Sequence, residues 1–151
     1  MAESRRFHLG SDHGGVELRG ELAVTLADDG HTIASTAGPA AADQKADYPD
    51  VAVEVCRRVL ADDGSCGLLV CGTGQGMAMT ANRIPGIRAA VVGDIFSARM
   101  ARAHNDANVL CLGQRVLGSE LAKALAREFA TASFEGGRHQ RRVDKLMRAG
   151  S

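Results

Sequence analysis

The sequence predicts an α/β protein, a parallel sheet with helices on both faces. Three observations carry this. Short apolar runs alternate with stretches of helical periodicity along the whole chain. Aromatics are scarce, with no Trp and a single Tyr, so the core must be built from Ala, Val, Leu, Ile and Met. Runs such as "CGLLVC" are apolar throughout, as strands buried on both faces are.

The elements follow in order. "RFHLGS" (Arg5 to Ser11) reads as the first strand. "GVELRGELAVTLADDG" has Leu18, Leu22 and Leu26 four residues apart, a helical stripe that ends at Gly30. "HTIAST" is the second strand, and "AGPAAADQKADYPD" is a small, polar loop with two prolines. A helix from about Val51 to Asp62 leads to the third strand, "CGLLVC". The glycine-rich "CGTGQG" then opens a helix near Met77 to Asn82. "GIRAAVV" and "NVLCLG" are the fourth and fifth strands, separated by the helix "FSARMARAHN". A helix from Ser119 to Phe129, the interruption "EGG" and a basic helix "RHQRRVDKLMR" complete the chain.

The 151 residues are expected to form one domain, 1–151, with no repeat or linker dividing it. A chain of this size buries roughly 70% of its unfolded surface and needs no metal or disulfide to fold. Net charge is zero but uneven: eleven acidic and four basic residues lie between Asp12 and Asp63, and twelve basic and six acidic between Arg83 and Arg148. That balance, with few aromatics to stack on bases, argues against nucleic acid and for local binding of a small anion. The N-terminus "MAESRRF" lacks the apolar segment of a signal peptide, and no run approaches membrane-spanning length. Cys56, Cys66, Cys71 and Cys111 make no C-x-x-C pair, and no His pair has zinc-like spacing beside them. We therefore expect free thiols, no metal and a cytoplasmic location.

A parallel sheet binds its ligand at the carboxyl ends of its strands. "GSDHGG" puts Asp12 and His13 at the first such end. Asp12 suits a helix cap and a catalytic carboxylate equally well, and a lone His13 is more often an ordinary surface or core histidine. "CGTGQG" lets backbone N–H groups converge on an anion, and it lacks both the Walker ending and the G-x-G-x-x-G spacing. Cys71, at its lip, reads either as a thiolate favoured by those N–H groups or as a small buried apolar residue. Cys56, Cys66 and Cys111 suit only the second reading. His104 and Asn105 end the fourth helix, where the macrodipole alone can favour a histidine. Arg138 and Arg142 stand at i, i+4 on the last helix, as a phosphate clamp or a solvated basic face.

Together these stretches, with "DYPD", "ANRIPGIRAA" and "LG-RV-G", resemble the type B ribose-5-phosphate isomerases and galactose-6-phosphate isomerase subunits, from Phe7 to about Val143. The resemblance implies a Rossmann-like (flavodoxin-like) three-layer sandwich with a five-stranded sheet and a basic C-terminal helix. It implies a homodimer, often paired into a tetramer, with the active site at the subunit interface and no cofactor. The implied reaction interconverts aldose and ketose phosphates through a cis-enediolate. By position, Cys71 matches the base, and the amides of Gly72, Thr73, Gly74, Gln75 and Gly76 match the anion hole. Asp12, Thr73 and His104 match residues of ring opening, Asn105 and Tyr48 residues near the sugar, and His13, Arg115, Arg138 and Arg142 the phosphate site. Some members carry Ser at the position of Cys71 and a Glu base at that of Gln75, so this chain falls with the thiol subgroup. The loop before Tyr48 is longer and richer in Ala than the resemblance implies. The rivals are the same chemistry on a C4 or C6 sugar phosphate, a non-catalytic sugar-phosphate-binding subunit, and a flavin or nucleotide binder; the last lacks a ribose-binding acid motif and stacking aromatics.

Overall fold

The computed structural model describes residues 3–150. Five strands, β1 (Arg6–Ser11), β2 (Thr32–Ala37), β3 (Cys66–Cys71), β4 (Ala89–Val91) and β5 (Val109–Gly113), form one sheet. All four pairings are parallel, in the order β2-β1-β3-β5-β4. Six helices accompany them: α1 (Val16–Asp28), α2 (Tyr48–Leu60), α3 (Gln75–Ala81), α4 (Ile95–Ala103), α5 (Ser119–Thr131) and α6 (Arg138–Arg148).

The two faces of the sheet are both apolar, as expected. All six residues of β3 are buried. Leu68 and Val70 pack with Phe7, Leu9, Leu110 and Leu112 against Leu18, Leu22 and Leu26 of α1 and Leu125 and Phe129 of α5. Leu69 and Cys71, pointing the other way, pack with Val109 and Cys111 against Val51, Val55 and Cys56 of α2 and Met77 of α3. The period-2 alternation of a strand thus feeds two cores from one sequence run. Burying each such leucine side chain stabilises the fold by about 1.5–3 kcal/mol.

The largest departures of the elements from the sequence reading are at α2 and β4. Helix α2 starts at Tyr48, three residues before the expected Val51. Pro49 does not block this, because the N–H it lacks has no partner in the first turn of a helix. Strand β4 is three residues long where seven were expected. Its flanks are held by side chains instead of a ladder: Asn82 binds both the N–H and the C=O of Ala89, and Asn108 binds the N–H of Arg88 and the C=O of Gly86.

The loop between β2 and α2 is tied down at its root. Arg19, buried in α1, donates to Ser11 Oγ and to the carbonyls of Ala37 and Pro39. Burial lowers its pKa, so three acceptors around the guanidinium are what keep the charge tolerable. At the far end of the loop, His13 Nδ1 lies 3.2 Å from the Ala46 carbonyl. Among the described residues no helix is long and apolar enough to cross a membrane.

Candidate active site

Strands β1 and β3 lie side by side, with Ser11 opposite Val70. Their carboxyl ends therefore bring "SDHGG" and "CGTGQG" together. Gly14 approaches the backbone of Gly72 closely enough that an added Cβ would lie 3.5 Å from its nitrogen. Asp12 is buried, and its Oδ1 accepts the Gly14 N–H at 2.9 Å. It is not the cap of α1. That helix has Gly15 at its N-cap and no side-chain cap, and Gln114 Oε1 reaches across to accept the Leu18 N–H at 2.9 Å. Gln114 thereby supplies an acceptor that a capping side chain would otherwise provide, a role that spacing along the chain could not disclose.

Cys71 closes β3 with 5% of its surface exposed, and its Sγ accepts the N–H of Gly74 at 3.1 Å. Both readings of this cysteine meet here, since it packs on α2 and α3 and yet turns its sulfur to an amide donor. Gly74 has φ 81°, a left-handed value that an L side chain rarely adopts. Gln75 N–H donates to Thr73 Oγ1 at 3.2 Å, so the threonine hydroxyl is drawn into the same turn. The following helix α3 has only seven residues, so local N–H groups matter here more than a summed helix dipole.

The other three thiols are buried where the thiolate is disfavoured. Burial pushes the Cys56 thiol up to about 12, raises Cys66, and raises the fully buried Cys111 well above the ordinary range.

Two more expected residues border the loop. The Tyr48 ring lies over Gly76, where an added Cβ would come within 2.4 Å of it. Arg115 is exposed and its side chain passes over Gly72. Its backbone N–H donates to the Gly72 carbonyl, as that of Gln114 does to Cys71. Asp12, His13, Tyr48, Cys71, Gly72, Thr73, Gly74, Gln75, Gly76 and Arg115 thus gather at the carboxyl edge of the sheet.

His104, Asn105, Arg138 and Arg142 do not. His104 caps the C-terminus of α4, which returns the chain to the amino edge. There the Asn108 carbonyl accepts from Gly67, at the start of β3. The start of α6 is held to the same edge by the Glu135 N–H, which donates to the Ala103 carbonyl. The length of β3, about 20 Å at 3.3 Å per residue, separates the two edges. Arg138 and Arg142 are both exposed, one turn apart, beside the buried His139 and Val143 that dock α6.

This second group contains two residues that the sequence reading passed over. The His139 ring stacks on His104 with centroids 4.0 Å apart and planes 13° from parallel. Glu135 stands 3.6 Å from His104 Nε2 and 3.7 Å from His139 Nε2. Burial, and then the neighbouring His104, hold the His139 pKa below its usual value. The "EGGRH" run held the signal, a carboxylate and an imidazole at i, i+4, but nothing in it pointed to His104 thirty residues upstream.

Comparison with known proteins gives these positions a family. The Ribose/Galactose Isomerase model matches residues 7–146. The ribose-5-phosphate isomerase B of Escherichia coli is 38% identical over 142 residues, 94% of each chain. The D-erythrulose-4-phosphate isomerase 2 of Mycolicibacterium smegmatis is 38% identical over 128 residues, 84% of each. The structure of Clostridium thermocellum ribose-5-phosphate isomerase B superposes with a TM-score of 0.89 at 42% identity, covering 94% of this chain and 95% of that one. With its five-stranded parallel sheet, its glycine turn at the end of β3 and a match over nearly its full length, this chain belongs to the ribose/galactose isomerase family.

Proposed function

We propose that the protein is an aldose–ketose isomerase that converts ribose 5-phosphate to ribulose 5-phosphate, with Cys71 as the base. The observation that carries this is the Cys71 sulfur in contact with an amide of the glycine turn, beside the Asp12 loop. Removing a proton α to a carbonyl requires a base next to fixed donors for the oxyanion. Asp12, Thr73 and His104 open the furanose ring. The Cys71 thiolate takes the C2 proton of the open aldose, and the freed electron pair forms the C1–C2 double bond while the carbonyl oxygen becomes the enediolate oxyanion. Amides of Gly72 to Gly76 hold that charge. The C2 hydroxyl proton then passes to the C1 oxygen, the thiol returns its proton to C1, and the C2 oxygen becomes the carbonyl of the ketose. Tyr48, Gln75 and Asn105 contact the sugar; His13, Arg115, Arg138 and Arg142 hold the phosphate. No cofactor takes part.

We read residues 1–151 as one catalytic unit that works as a homodimer, with each active site shared between two copies. Four of the proposed participants, His104, Asn105, Arg138 and Arg142, lie at the amino edge of the sheet, too far to serve the Cys71 of their own chain. Met79, Phe96 and Val116, apolar side chains 66–69% exposed in the single chain, offer a second copy surface to cover. Unpaired thiols suit a cytoplasmic setting.

A coupled assay over aldose phosphates of four, five and six carbons tests the substrate. Ribose 5-phosphate should give the highest kcat/KM. A higher value with a tetrose phosphate, the chemistry named for the M. smegmatis relative, would reassign the substrate but keep the reaction. No turnover with any would favour a non-catalytic binding subunit.

A further inference from the structure

We propose that Asp106 is a positioning residue: its carboxylate, gripped by two arginines, fixes the turn that presents His104 and Asn105 to the active site. The clamp stands on geometry; its effect on turnover rests on the roles of His104 and Asn105 proposed above.

Asp106 has φ 48°, and among the described residues it is the one non-glycine residue with a positive φ. That conformation crowds a Cβ against the backbone, so glycine takes it most readily at the end of a helix. Here the turn follows α4. The N–H groups of Asp106 and Ala107 return to the carbonyls of Arg102 and Ala101, at 3.2 and 2.8 Å. Aspartate tolerates the left-handed region better than most residues, yet glycine would make the same turn with less strain. What aspartate adds is a carboxylate.

That carboxylate is held from two sides. Arg102 Nη1 lies 3.1 Å from Oδ1, and Arg88 Nη2 lies 3.4 Å from Oδ2. Each arginine also holds the backbone of the turn. Arg88 Nε donates to the Asp106 carbonyl at 2.7 Å, and Arg102 Nη1 to the Ala107 carbonyl at 2.6 Å. Both arginines are themselves fixed. Arg102 is buried, with its guanidinium 5.8 Å from the centre of the Phe129 ring. The backbone N–H of Arg88 donates to Asn108 Oδ1 at 2.8 Å. The Asp106 side chain is 33% exposed, so solvent screens part of the attraction, but two fixed donors still define where the carboxylate sits.

His104 and Asn105 are the two residues before Asp106. The His139 ring, stacked on His104 with centroids 4.0 Å apart, fixes the plane of the His104 ring. The Asp106 clamp fixes the backbone from which that ring projects. A shift of about 1 Å at a reacting group can cost about 10²-fold in rate. A half-site offered to a second copy needs this rigidity, because the Cys71 loop of its own chain lies at the other edge of the sheet and cannot brace it.

The test compares Asp106→Asn and Asp106→Gly with wild type in steady-state kinetics on ribose 5-phosphate. Asparagine keeps the shape and the tolerance of positive φ, but its amide has one acceptor oxygen, so one arginine loses its partner. Glycine relieves the strain and removes both side-chain contacts. We expect kcat to fall about tenfold in Asp106→Asn and about 10²-fold in Asp106→Gly. KM should stay within about threefold of wild type, because the arginines proposed for the phosphate stand on α6.

A mixed dimer then tells a local defect from a damaged fold. An Asp106→Gly chain paired with a Cys71→Ala chain has one site with an intact Cys71 from the first and an intact His104 turn from the second. We expect about half of the wild-type kcat per dimer. Asp106→Asn takes its place if the glycine variant does not fold. Wild-type kcat in both Asp106 variants, with His104→Ala inactive, would overturn the positioning role and leave His104 in its own. A mixed dimer no more active than its parents, where Cys71→Ala and His104→Ala do complement each other, would overturn it too, since the damage would then reach the Cys71 half of the same chain. Activity retained in His104→Ala would overturn the role of His104 and the positioning role with it.

Discussion

The Gly74 amide donates to the Cys71 sulfur across 3.1 Å, and it can do so because Gly74 sits at φ 81°. An L residue there costs about 1–2 kcal/mol and turns the amide away. An added Cβ would also come within 3.2 Å of the Leu112 backbone. Gly74→Ala should therefore lower kcat at least tenfold while the chain still folds. Steady-state kinetics with a parallel melting curve check this; a wild-type kcat would detach the turn from the chemistry.

Cys71→Ala should reduce kcat by about 10² to 10⁴, the usual cost of losing a general base. Folding should survive, since alanine keeps the small apolar volume at the junction of β3 and α3. Retained circular dichroism and sugar-phosphate binding with lost turnover are the expected pattern. Activity within about threefold of wild type would remove Cys71 from the base role.

Arg138→Ala and Arg142→Ala address the phosphate. Charge-assisted hydrogen bonds contribute about 1.5–3 kcal/mol each, so each variant should raise KM roughly tenfold to over a hundredfold. Because the phosphate does not react, kcat should fall less, and only as far as the sugar slips out of register. A merely solvated helix face leaves KM where it was, and both residues are exposed enough for that outcome to be a real test.

These residues also mark how far the sequence could be read. The α1 stripe of Leu18, Leu22 and Leu26 and the all-apolar β3 identified elements, sheet type and core, because local periodicity reports burial directly. The Asp12 and Cys71 loops were legible as well, since a parallel sheet sends its strand ends to one edge. Helix α2 was misjudged at its start because Pro49 reads as a breaker and is also a first-turn residue. Gln114 as the remote partner of α1, and Glu135 with His139 under His104, depend on contacts between distant segments, which no local pattern encodes. The division of the candidate site between two edges follows from topology, and only the strand directions reveal it.

Prolonged dialysis against EDTA should leave turnover unchanged, because the proton transfer proposed for Cys71 asks nothing of a metal. Activity lost on chelation and restored by a divalent ion would contradict that mechanism. The assay needs only the stripped and reloaded enzyme on one substrate.

The separation of Cys71 from His104 by the length of the sheet makes the shared site the central claim. Its most direct test is a heterodimer of two inactive chains, Cys71→Ala and His104→Ala, carrying different affinity tags and purified through both. One of its two sites would combine an intact Cys71 from one chain with an intact His104 from the other, and the second site would lack both. We expect each homodimer to be nearly inactive and the heterodimer to recover about half of the wild-type kcat per dimer. A heterodimer no more active than its parents would contradict a site built from two copies.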